Sequence, residues 1–134
     1  MIDRQPLNKW VDYATDAGVL VIAIKLADEA DFFEKPEDMT KAILDLYKHE
    51  SELQNNPSCI AVIETPVATS LLIRILYRLF RECQKHRGDL YVCSFPREYM
   101  ISLSTLGLTE LPGFHLKPTE EAAVEEIRRR TLPA

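Results

Sequence analysis

Glycine is scarce in this sequence. Four of 134 residues are glycine, and none lies in a phosphate-cradling run or in a G-x-S-x-G elbow. No paired-carboxylate motif appears either, so the chain carries no enzyme signature. Cysteine is nearly as sparse. Cys59, Cys83 and Cys93 are too few, odd in number and too widely spaced for a disulfide framework or a zinc site. They fall in strand-like segments (Cys59, Cys93) and on the apolar side of a helix (Cys83), which predicts buried thiols in a reducing compartment. A long hydrophobic run is missing. The longest, Val19 to Ile24, is far short of the roughly 20 residues that cross a bilayer. The start, MIDRQPLNKW, has no apolar signal core and reads as a mature N-terminus. Nor is there a basic excess: 16 Lys and Arg stand against 21 Asp and Glu, for a net charge of −5. No global positive field invites nucleic acid or anionic lipid. The expectation is a soluble cytoplasmic protein with no metal, no cofactor, no nucleic acid and no membrane insertion. His49, His86 and His115 sit in no metal motif. Asp28, Glu29 and Asp31 lack the glycine and downstream Glu of a calcium loop.

What is present is an ordinary globular composition, 46% hydrophobic and 28% charged, at a one-domain length. Residues 9–131 read as that domain, with 1–8 and 132–134 as loose ends. KWVDYAT and VLVIAIKL flank the turn Asp16-Ala17-Gly18, which predicts a β-hairpin. Its second member, apolar throughout, reads as an interior strand covered on both sides. The loop ADEADFFEK follows, where Phe32 or Phe33 should pack under the next helix. From Pro36, two acids and the spacing of Met39, Ile43, Leu46, Tyr47 and Leu53 predict a helix that ends at Asn55-Asn56-Pro57. SCIAVIE (58–64) reads as a second interior strand.

In the next helix Leu72, Ile75, Leu76, Leu79, Phe80 and Cys83 share one face. His86-Arg87-Gly88 ends it, with Gly88 expected to supply the left-handed residue. Arg74, Arg78, Arg81 and Lys85 recur at i, i+4, i+7 and i+11 on another face. The row reads as a solvated helix face or as a meeting place for an acidic partner. LYVCSF (90–95) is a third such strand. A short helix from Pro96 carries Met100, Leu103 and Leu106 and closes at Gly107. Phe114 to Leu116 suggests an edge strand, and Thr119 caps a last helix whose acids lead and arginines follow. Two adjacent β segments followed by helix–strand alternation predict an α/β layer structure with parallel interior strands.

Three stretches, spread over roughly residues 9–131, carry a family resemblance. GVLVIAIKLADEAD resembles an opening strand running into an L-x-G-x-L-D-like turn, here without the glycine. SLLIRILYRLFRECQKHRGDLYVCSF resembles a helix with an R-x-x-G-G-style exit into a strand. LSTLGLTEL with EEAAVEEI resembles an L-x-x-T-G-L segment and a closing helix. In order and spacing the chain resembles the STAS domain, the family of bacterial anti-sigma factor antagonists and of the cytoplasmic tails of sulfate transporters. The resemblance implies a STAS-like α/β fold, a mixed sheet of four or five strands with helices mainly on one face. It further implies a non-enzymatic interaction module that binds an anti-sigma factor or related switch kinase.

In regulated members of that family the signature loop reads Asp-Ser-Ser-Gly-Leu-Gly, and a kinase phosphorylates the second serine. Ala68-Thr69-Ser70-Leu71-Leu72-Ile73 takes that place here. Ser70 falls on the phosphoacceptor, Thr69 on the preceding hydroxyl, and Ala68 on the aspartate, while Leu71 and Ile73 stand where the glycines would be. The implied partner surface comprises Thr65, Pro66, Val67, Ala68, Thr69, Ser70, Arg74 and Arg78. A plainer account competes with it. Ser and Thr are preferred helix N-caps worth about 1 kcal/mol, and capping by Thr69 or Ser70 alone explains both hydroxyls. Two functional alternatives also stand: a constitutive, non-phosphorylated module, either a scaffold subunit of a larger assembly or a self-associating domain, and a carrier of a small anionic ligand or nucleotide at the helix N-termini.

Overall fold

The structure, a computed structural model, describes residues 4–7, 9–25, 36–64 and 70–131. Six strands form one mixed sheet in the order β1-β2-β3-β4-β5-β6. They are β1 (Gln5–Pro6), β2 (Val11–Asp16), β3 (Val19–Ile24), β4 (Cys59–Ile63), β5 (Leu90–Cys93) and β6 (Phe114–Lys117). The hairpin β2–β3 closes on Ala17 and Gly18, at φ 54° and 77°. Positive φ at both turn residues matches the strand twist, and Gly18 adopts it without steric cost. From β3 onward the strands are parallel, with Ile22 opposite Ala61, Ala61 opposite Val92, and Val92 opposite Leu116.

Spatial order follows chain order, so each crossover advances the same way across the sheet. Right-handed crossovers that all advance one way must place their helices on one face. There lie α1 (Pro36–Gln54), α2 (Ser70–Lys85) and the short α3 (Met100–Thr105), the last flanked by 3-10 turns at Arg97–Tyr99 and Leu108–Glu110. Their buried residues, among them Ile43, Tyr47, Leu72, Leu76, Phe80 and Leu103, close over Leu20, Ile22, Ala61 and Val92. The last helix, α4 (Glu120–Thr131), crosses to no further strand and covers the other face. Its Ala123, Val124 and Ile127 pack on Val21, Ile60, Val62 and Tyr91. Thr119 caps it as expected, its Oγ1 accepting the Ala122 N–H at 3.1 Å.

Several expectations change. The sheet has six strands rather than four or five, because Gln5 and Pro6 pair with Tyr13 and Asp12. Residues 4–7 are therefore not a loose end. The Leu7 N–H also donates to the Val11 carbonyl, and Leu7 packs against the core. Proline has no N–H to offer a neighbour, which suits Pro6 to an outer edge. Leu53 and Leu106, read as part of the apolar pattern, are exposed. The left-handed residue after α2 is Arg87, at φ 62°, and not Gly88. The segment holding Phe32, Phe33 and the acids of residues 28–31 lies outside the described residues. Among the described residues no helix is long and apolar enough to cross a membrane.

Candidate functional site

The apolar face of α2 is buried as its spacing predicts: Leu72, Ile75, Leu76, Leu79, Phe80 and Cys83 are each at most 1% exposed. That burial fixes the helix rotation and so decides which side chains face outward. Arg74, Arg78, Arg81 and Lys85 are all exposed. Lys85 pairs with Glu82 at 3.2 Å, while the three arginines form no ion pair among the described residues. Ser70 is the first residue of α2, one helical turn before Arg74, so positions 70, 74 and 78 succeed one another along one face. Thr65, Pro66, Val67, Ala68 and Thr69 lie outside the described residues, as does the side chain of Ser70.

Beside the arginine row runs a groove of about 390 Å³, lined by Ile73, Arg74 and Tyr77 from α2 and by Leu106 and Leu108 from the α3 turn. Its floor is buried, with Ile73 at 8% and Leu108 at 2% exposure, whereas its rims, Tyr77 at 41% and Leu106 at 63%, face solvent. The local chain geometry explains the split. Gly107 turns at φ 75° immediately after α3, sending Leu108 into the core and leaving Leu106 outside. Four large hydrophobic side chains are exposed among the described residues: Leu53, Tyr77, Ile101 and Leu106. Two of the four share this groove, and Ile101 belongs to the same short helix. The sequence reading missed Tyr77 and the outward turn of Leu106. Tyr77 did leave a signal, as an aromatic set between Arg74 and Arg78, off the buried face.

On the opposite face, parallel registry gathers polar residues that lie far apart in the chain. Asp89 Oδ2 is 3.1 Å from His115 Nε2 and accepts a hydrogen bond from Arg130 at 2.7 Å. The His115 ring stacks on Tyr91, with centroids 4.5 Å apart. Lys117 donates to Glu126 at 2.9 Å, and this hydrogen bond, helped by the charges of Lys117, Arg130 and His115, holds the Glu126 carboxyl below the usual range. Burial pushes the Tyr91 hydroxyl up to about 12. The cluster ties α4 to β5 and β6 and pairs its charges internally. The thiols are equally inert: burial raises Cys59 well above its ordinary value and pushes Cys83 and Cys93 to about 12, so none is a nucleophile near neutrality. A second groove, of about 590 Å³, is lined by Lys48, Ser51, Asn55, Asn56 and His86, among others. It lies at the C-terminal ends of α1 and α2, not at the N-termini where an anion carrier was expected.

The chain resembles a known structure in three dimensions. It is similar to the NMR structure of the protein TM1081, with a TM-score of 0.66 and 16% sequence identity over 87% of each chain. At that identity the likeness shows a shared α/β fold and nothing finer. No protein-family model and no curated protein matches the sequence.

Of the residues the sequence nominated, the structure brings Arg74 and Arg78 together on one exposed face of the helix whose first residue is Ser70. To these it adds an apolar groove that no motif announced.

Proposed function

We propose that this chain is a non-enzymatic, cytoplasmic interaction module of the STAS kind, resembling an anti-sigma factor antagonist. It docks an anti-sigma factor or related switch kinase through the first half of α2. One observation carries the reading: a solvent-facing apolar groove and a row of arginines without described ion-pair partners run together from the end of the helix that starts at Ser70.

Control by phosphorylation of Ser70 follows from helix physics. The first turn of α2 offers backbone N–H groups without helical acceptors at the positive end of the dipole. A phosphate there adds about −1.5 to −2 charge and finds those donors ready. Arg74, four residues on, is the nearest guanidinium along the helix face. Once drawn to the phosphate, it is lost to a docked partner, so binding weakens while the fold persists.

The test compares tagged parent and Ser70→Asp chains recovered from the host cytoplasm. The variant should keep its circular dichroism spectrum and lose at least about tenfold of its specific co-purifying protein. Equal recovery sinks the switch at this residue. A second reading, a constitutive scaffold subunit, is favoured by Ala68, Leu71 and Ile73 in place of the aspartate and glycines of the regulated loop. Incubation with the host's switch kinase and ATP separates the two: no gain of one phosphate in intact mass leaves the scaffold.

A further inference from the structure

We infer that the occupant of the α2–α3 groove is an acidic amphipathic helix of a protein partner. The inference rests on the docking reading above and names the chemistry that surface would recognise.

Backbone chemistry points to a helix. The groove is walled by side chains of α2 and of the turn after α3, and the amides of a helix interior are spent on their own carbonyls. No sheet edge lines it among the described residues. An extended peptide laid there finds no backbone partner among the described walls and must leave its N–H and C=O groups to water, which costs it contact with the apolar floor. A helix brings its backbone hydrogen bonds with it, so it can lay an apolar stripe between Tyr77 and Leu106 over the floor of Ile73 and Leu108. The groove has room for more than one aliphatic side chain.

Charge complementarity points to acid. The chain is acidic overall, at −5, yet Arg74, Arg78 and Arg81 stand in a row beside the groove without an ion-pair partner among the described residues. Elsewhere many basic residues meet carboxylates, as Arg4 meets Glu64 and Glu120, Lys117 meets Glu126, and Arg130 meets Asp89. Lys41, Lys48, Arg87 and Arg97 also stand without an ion pair among the described residues, but none of them lines the groove. Arg74 to Arg81 spans seven residues, about 10 Å of helix rise. Carboxylates at i, i+4 and i+7 on a docked helix cover the same distance. An acidic partner meets three guanidinium groups in a row here, unpaired among the described residues and beside an apolar groove, which favours this landing place.

The test is a display selection on the full chain with two peptide libraries of roughly 20 residues. One library is stapled into helices and the other is linear and proline-punctuated. Binders are retested on Arg78→Glu and Leu106→Ser, both exposed positions whose exchange should leave the thermal midpoint near the parent's. The expected winners come from the stapled library and carry Asp or Glu at three- and four-residue spacing. They lose at least about tenfold of their affinity on each variant, and they weaken as salt rises. Winners that need these residues but are basic, neutral or extended leave the docking surface standing and overturn the acidic helix. If no winner depends on these residues, the docking surface itself falls. Tighter retention of a single-stranded oligonucleotide, or a dimer in sedimentation that Arg78→Glu dissolves, replaces the acidic helix with nucleic acid or a second copy.

Discussion

A side chain at position 88 has nowhere to go. A Cβ built on Gly88 meets the Pro57 carbonyl oxygen at 2.1 Å and its carbon at 2.3 Å. These are backbone atoms, and they are held. The Tyr47 hydroxyl donates to the Pro57 carbonyl at 2.6 Å, and the Ser58 Oγ accepts the Asp89 N–H at 3.1 Å. The glycine is therefore required for close approach of two chain segments, while the strained φ falls on its neighbour Arg87. The Gly88 N–H returns to the Cys83 carbonyl at 2.7 Å and the Arg87 N–H to Gln84 at 3.0 Å, so α2 ends in a Schellman motif with an arginine at the left-handed place. Gly88→Ala should cost about 3 kcal/mol, the upper part of the usual range for overpacking. Urea denaturation measures it, and a midpoint equal to the parent's would mean the two segments part without cost.

At the scale of elements, a polar cluster fastens α4 to the edge strand β6. Lys117 on β6 and Glu126 on α4 are both half-buried and paired at 2.9 Å. Because Glu126 is held below the range of an unfolded chain, the native state binds its proton more weakly. The pair's contribution is then full above the unfolded pKa of about 4.3 and is lost as pH falls through the native value. Melting curves should accordingly drop more steeply between about pH 5 and pH 3 in the parent than in Glu126→Gln; parallel drops would exclude the pair as an acid-sensitive tie. This attachment was not legible in the sequence. Interior strands and α2 announce themselves by apolar runs and by 3.6-residue spacing, since burial selects residue type position by position. Asp89 and His115 meet only through the registry of β5 with β6, and Arg130 joins them only when α4 packs across the sheet, neither of which a local pattern encodes. The two residues of β1 are too short to show a period. Leu106 misled for a different reason: its spacing suits α3, but Gly107 breaks the helix before the spacing counts. The same limit hid the groove, whose two walls are neighbours in space alone.

For the whole molecule, the most consequential titration lies in the core rather than at the surface. Cys59, Cys83 and Cys93 are each 0% exposed and sit against opposite faces of the same sheet, Cys59 and Cys83 under α1 and α2 and Cys93 under α4. Burial in apolar surroundings raises all three thiols, Cys83 and Cys93 to about 12. A free thiol ionises near pH 8.5, so above that pH the unfolded chain releases protons that the folded one keeps. Stability is thus unaffected by the thiols below that pH and declines from there toward the native values. The decline is about 1.4 kcal/mol per pH unit for each thiol, or about 4 for three. Against a typical total of about 5–15 kcal/mol, that is enough to unfold the domain before pH 12. Both faces of the sheet carry a thiol, so the two layers should come apart together. Ellman's reagent at pH 8 should find no accessible sulfur in the native chain, and three per chain after denaturation. In an alkaline titration the thiolate absorbance should rise in one step coincident with the loss of far-ultraviolet ellipticity. A thiol that ionises while the ellipticity holds would show that one face of the sheet opens independently of the other.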